Sequence, residues 1–136
     1  MQTSEFKFSN PKLITLNFQL NNYTQATDEP DINMNISIQT NIDKKNETEA
    51  DVELNIEIGD LSVSSPFFIN LVIGAKFKLD SVIEGTDFNK LLDVNAPALL
   101  LSYARPIISS VTNHAGMRPL NLPYINFTGQ QRKDTN

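Results

Sequence analysis

Three carboxylates in one short run, Asp51, Glu53 and Glu57, are the residues best placed to do chemistry. Residues two apart on a strand share a face, so the three form an acidic row with Asn55 between them. Such a row has three uses. It can be an acid–base or metal set, a solvated sheet face that resists aggregation, or a docking surface for a basic partner. Acid–base work or metal capture needs other groups converging on the row, and no motif supplies them. His114 is the only histidine. It falls at the end of a helical pattern, where a cation complements the helix dipole, so surface capping is its expected role. Asp28, Glu29 and Asp31 resemble part of a calcium loop but lack its glycine and its closing bidentate glutamate. The chain has no cysteine, which removes disulfides, thiolate zinc sites and cysteine nucleophiles together. It has no Gly-rich phosphate loop, no Gly-x-Ser-x-Gly and no His-Glu-x-x-His. The expectation is no catalytic residue, no metal and no cofactor. The acidic row reads first as a solvated face and second as a partner-docking surface.

The elements around the row follow from periodicity. Val52, Leu54, Ile56 and Ile58 alternate with the acidic positions, and Ile32, Met34, Ile36 and Ile38 alternate with polar residues upstream. The two runs predict an antiparallel hairpin about a polar turn at 43–47, aliphatic on one face and polar on the other. Phe6, Phe8, Ile14, Leu16, Phe18 and Leu20 all fall on even positions. This predicts a first strand over 5–20 with one buried face, interrupted at Pro11. Over 67–79 the odd positions are apolar, while Phe68 and Val72 face the other way and Gly74 marks a bulge or close packing. Thr86 or Asp87 caps a short helix over 88–94. A long helix begins at Asn95-Ala96-Pro97 and stops at Gly116. Pro106 inside it removes a backbone hydrogen bond and predicts a kink near Ser102. An extended segment over 119–127 leads to a polar tail over 128–136, expected to fray. Strands followed by helices predict an α+β fold: a four-stranded antiparallel sheet with the long helix and a short one packed on one face.

The long helix is apolar on more than one side. Leu99, Tyr103, Ile107 and Val111 form one row, and Leu100, Leu101 and Ile108 lie beside and behind it. A helix of this kind is covered on more than one side. The sheet supplies one cover, and a second copy of the chain is the expected other, in a dimer or a dimer of dimers. Leu99, Leu101, Tyr103, Arg105 and Ile108 are the expected contact; Arg105 either pairs a carboxylate or caps carbonyls there, or stands solvated at the helix edge. Asp at Leu101 or Ile108 is then expected to dissociate the assembly.

At 136 residues the chain suits a single domain, expected over 1–127. A net charge of −5 argues against a nucleic-acid surface, which needs a basic face. The N-terminal residues lack the basic and apolar regions of a signal peptide, and no stretch approaches a membrane span. The expected location is the cytoplasm.

Pro97, Leu99 or Leu100, Tyr103, Ala104 and Arg105, then Ser109 and Ser110, then Leu120, Asn121, Leu122, Asn126 and Phe127 form a pattern that resembles the SecB family. That family's wording is Pro-Asn-Leu-Leu-Phe-Pro-Tyr-Ala-Arg, followed by Leu-Asn-Leu and a terminal Asn-Phe. The resemblance implies a cytosolic chaperone that holds unfolded polypeptides in apolar grooves and, in secretion, passes them to the SecA motor. It also implies a tetramer of two dimers with the long helices between two sheets. Tyr23, Phe68, Tyr124 and Phe127 are the client-binding candidates on that reading. The family continues beyond its Asn-Phe into another amphipathic helix and a motor-binding tail, whereas residues 128–136 here have no apolar period. The family proline also falls where this chain has Ser102. The alternative expectation is a non-catalytic oligomeric adaptor that binds one folded partner through Asp51, Glu53 and Glu57.

Overall fold

Strict alternation of aliphatic and polar side chains builds the centre of the sheet. Strand β4 (Glu49–Gly59) buries Ala50, Val52, Leu54, Ile56 and Ile58, and β5 (Phe67–Leu79) buries Phe67, Ile69, Leu71, Ile73, Phe77 and Leu79. The two run antiparallel with Leu54 opposite Ile73 and Ile56 opposite Leu71. Directly opposed residues share a face, so the two rows merge into one apolar surface. Strand β3 (Ile36–Lys44) pairs antiparallel with β4 and adds Ile38 and Ile42 to that surface. The other edge of β5 takes both β1 (Phe6–Phe8) and β2 (Lys12–Leu20). This computed structural model describes residues 6–21, 35–61, 65–80, 87–129 and 133–134.

The architecture is the expected α+β sheet with one long helix on one face, with two differences at the edges. The first strand is split, because Pro11 has no amide to donate. The gap is bridged from Ser9, whose N–H donates to the Lys76 carbonyl at 2.9 Å and whose Oγ accepts the Lys76 N–H at 3.0 Å. The sheet therefore has five antiparallel strands where four were expected. The tail also contributes: β6 (Lys133–Asp134) lies parallel to β3 at Asn41 and Ile42.

A bulge corrects the reading of β2. Leu13 pairs with Ile73 and Thr15 with Val72, leaving Ile14 without a partner. One extra residue reverses the alternation. Leu13 therefore takes the helix-side place expected for Ile14. Ile14 moves to the outer face, where its Cδ1 lies 3.1 Å from the point a Cβ on Gly74 would occupy. Gly74 is where the neighbouring strand and the displaced side chain approach most closely.

The helices form one run. Helix α1 (Phe88–Lys90) is capped by Asp87, whose Oδ1 accepts the Lys90 N–H at 3.2 Å. It passes through a π turn (Leu91–Asn95) into α2 (Ala96–His114). Asn95 has helical backbone angles and no side-chain cap, so the expected new start there is absent. Pro97 explains the wide turn. It has no N–H to return to Asp93, and the Ala96 N–H reaches back to Leu91 instead. The Lys44 Nζ donates to Asn89 Oδ1 at 3.0 Å and stands 5.8 Å from the Phe88 ring centre, tying the helix start to the end of β3. Helix α2 stays α-helical across Pro106.

One stripe of α2 faces the sheet: Ala96, Pro97, Leu100, Leu101, Ala104, Ile108 and Thr112 are buried. At its end the Gly116 N–H donates to Asn113 O and the Met117 N–H to Thr112 O, each at 3.1 Å, with Gly116 at φ 86°. This is a Schellman stop. A Cβ at Gly116 meets nothing within 4 Å, so Gly116→Ala isolates the backbone cost of a left-handed residue. The expected loss is about 1 kcal/mol, seen in urea titration as a lower midpoint at unchanged slope.

Candidate functional site

The helix covers the middle of the apolar sheet face and leaves both flanks partly open. On the first flank stand Phe8, Leu13 and Leu16 of the edge strands, 43%, 45% and 37% exposed, with Tyr103 of the helix at 44%. The Phe8 and Tyr103 rings meet edge-on with centres 6.4 Å apart. Leu13 and Leu16 lie opposite Ile73 and Leu71, which puts them on the same face as Phe8. The result is an apolar stripe along the sheet edge. Among the described residues, no strand pairs with the outer side of β2.

On the second flank the chain returns after Gly116. The 3-10 turn Phe127–Gly129 packs against the π turn, and β6 reaches β3. The returning segment is therefore a strap that runs back along the helix on the β3 side. Its own Met117, Leu122 and Phe127 are buried and its Tyr124 is 81% exposed, while Ile36, at the start of β3, is 42% exposed.

The expected site residues are dispersed by this arrangement. Of the four client-binding candidates, Tyr124 is open. Phe127 is not accessible: at 3% exposed it anchors the strap in the core. Phe68 is half-buried on the outer face of β5, opposite Gln19 and Gly59, on the side away from the helix. Tyr23 lies outside the described residues. Of the five expected interface residues, Leu101 and Ile108 belong to the chain's own core, at 4% and 0% exposed. They sit on the stripe that meets the sheet. Leu99, Tyr103 and Arg105 remain on the open side, half-buried or exposed. Periodicity alone missed Leu13 as a flank residue. Its signal was the adjacent apolar pair Leu13-Ile14 in an otherwise alternating run, the mark of a bulge.

The outer face carries the acidic row. Asp51 and Glu53 are half-buried there and Glu57 is exposed. Asp51 lies directly opposite Asp43, and Lys45 sits between them, hydrogen-bonded to Asp43 and 3.8 Å from Asp51. The hydrogen bond to Asp43 raises the Lys45 pKa above its ordinary value. A cleft of about 550 Å³ crosses the strands at this level, lined on one side by Lys12 and Ile14 and on the other by Asp43, Asp51 and Glu53, with Gly74 in its floor. Among the described residues, no three acidic or histidine side chains are grouped to hold a metal. His114 closes the helix as expected, its Nδ1 donating to the Ser110 carbonyl at 2.7 Å. No described helix is long and apolar enough to cross a membrane.

Comparison with known proteins places this arrangement. The sequence model of the family described as "Preprotein translocase subunit SecB" matches residues 14–135. The chain is 28% identical over 124 residues to "Protein-export protein SecB" of Orientia tsutsugamushi (strain Boryong), covering 90% of this chain and 72% of that one. It is 38% identical over 98 residues to the protein of the same name in Rickettsia akari, covering 71% and 62%. Among solved structures, the Mycobacterium tuberculosis Rv1957 SecB-like chaperone, in complex with a ChAD peptide from the Rv1956 HigA1 antitoxin, superposes with a TM-score of 0.66 at 12% identity, covering 89% of this chain and 88% of that one. That structure shares the fold. With the family pattern matched over residues 14–135, nearly the whole chain, the chain belongs to the SecB family.

Proposed function

We propose that the chain is a holdase that binds unfolded polypeptides as a homo-oligomer in the cytoplasm. The observation that carries this is the apolar surface left open on the helix side, Phe8, Leu13, Leu16 and Tyr103 on one flank and Ile36 and Tyr124 on the other. Exposed apolar patches of this kind mark contact surfaces. The two flanks suit different occupants. The first borders a long open sheet edge, a ready template for another strand. A second copy presenting the same edge antiparallel continues the sheet and covers Leu99, Tyr103 and the stripe in one self-complementary contact. The second flank has separated apolar side chains around the strap and suits extended client segments. Each client side chain fully covered contributes roughly 1.5–3 kcal/mol, and several such contacts give sequence-tolerant affinity. The peptide bound to the Mycobacterium tuberculosis protein of the same fold supports this use. A second reading, an adaptor for one basic folded partner such as a motor protein, is favoured by the cleft along Asp51 and Glu53.

Titration of a permanently unfolded protein at low and high ionic strength separates the readings. Apolar binding persists in salt, whereas charge contacts are screened beyond about 3 Å at 1 M. Binding at both strengths is the expected result, together with suppressed aggregation of several unrelated substrates. Loss of binding in salt moves the contact to Asp51, Glu53 and Glu57. No binding at either strength removes the holdase.

A further inference from the structure

Thr112 is the one polar residue in the described core, fully buried at 0% exposed. Its hydroxyl donates to the carbonyl of Ile108 at 2.9 Å, with Ser109 O also within reach at 3.1 Å. The same oxygen accepts the Leu120 N–H at 2.8 Å. Its own carbonyl accepts the Met117 N–H. A threonine in mid-helix ordinarily bonds back to its own turn and stops there. Here the hydroxyl also catches the backbone of the strap eight residues on, just past the buried side chain of Met117. The next fixed points are the buried side chains of Leu122 and Phe127. Tyr124 lies between those two anchors and stands open.

We propose that Thr112 is a positioning residue for client binding: its hydroxyl latches the strap at Leu120 and so sets where Tyr124 stands on the β3 flank. This rests on the holdase reading, with the β3 flank as the client surface. Valine has the same shape and can neither donate to Ile108 O nor accept from Leu120. Thr112→Val therefore frees the strap at Leu120 while leaving the helix–sheet contact filled. Serine restores both bonds.

The test uses the full chain and three variants. Amide exchange at Leu120, followed by NMR, reads the latch directly. Titration with a permanently unfolded protein reads the client surface. Thr112→Val is expected to speed exchange at Leu120 and to weaken client binding roughly tenfold, the scale of one lost hydrogen bond. Thr112→Ser keeps both near wild type. Ile108→Val, a neighbouring core change, lowers the melting temperature without changing client affinity, which separates positioning from stability. If Thr112→Val is insoluble, Leu120→Pro removes the donor of the same bond, and its client affinity should fall similarly. The proposal is overturned if Leu120 exchange is unchanged in Thr112→Val, or if it speeds up while client affinity stays at the wild-type value. Failure of the wild type itself to bind unfolded protein removes the holdase and the client role of Thr112 together, and the exchange data show separately whether the hydroxyl holds the strap.

Discussion

Ile108→Asp abolishes the folded chain; it does not split an assembly. Ile108 is fully buried within the chain's own core, on the stripe that α2 turns to β4 and β5. Two losses add. Removing a large buried aliphatic side chain costs about 2–5 kcal/mol, and a buried carboxylate with no partner adds several kcal/mol more. The sum is on the order of the whole stability of a domain, about 5–15 kcal/mol. The expected observation is loss of the cooperative thermal transition in far-UV circular dichroism and of soluble protein. Leu101→Asp behaves in the same way. A folded, monomeric Ile108→Asp in sedimentation would put this residue back in a subunit contact.

The opposite behaviour is expected from Leu13→Asp combined with Tyr103→Asp. Both side chains are nearly half exposed on the first flank, so the single chain loses little when they change. In a self-complementary contact each residue counts twice. With about half of each side chain left to cover, four of them at roughly half of the 1.5–3 kcal/mol for full burial give about 3–6 kcal/mol, a factor on the order of 10²–10⁴ in the dissociation constant. Light scattering at micromolar concentration should show the wild-type assembly replaced by monomer, with a melting transition that remains cooperative. A wild type that is already monomeric, or a double variant that still assembles, would exclude this flank as the subunit contact.

The difference between these two variants shows what the sequence could and could not reveal. The rows of β4 and β5 were legible, because period-two alternation there is uninterrupted and one face is wholly apolar. The Asp87 cap and the Gly116 stop were legible because each follows from local chemistry. Which side of α2 meets the sheet was not. Apolar residues surround the helix, and hydrophobicity alone does not rank Ile108 against Ile107. The discriminating signal is size: Ala96, Ala104 and Thr112 recur on the buried stripe with Leu100 and Ile108 between them, where the helix must approach the sheet closely. The change of face at Leu13 and Ile14 was hidden because an inserted residue leaves composition unchanged and alters only the count. Phe127 read as accessible because it follows an exposed extended segment, and its anchoring depends on the distant π turn. The acidic row kept the face its alternation assigned. Its cleft depends on the bulged Ile14 and the bare Gly74, both features of pairing between strands far apart in sequence.

That long-range pairing also orders events during synthesis. The hairpins β3–β4 and β4–β5 close between neighbours, whereas Leu20 must find Phe67 and Phe6 must find Leu79. Closing a long loop carries an entropic cost before any contact forms. Made from the N-terminus, the chain has its first apolar strand outside the ribosome well before β5 exists to receive it. Until then Phe6, Phe8, Leu16 and Phe18 are exposed like the segments the finished protein is proposed to hold, and the last strand to dock is the first one made.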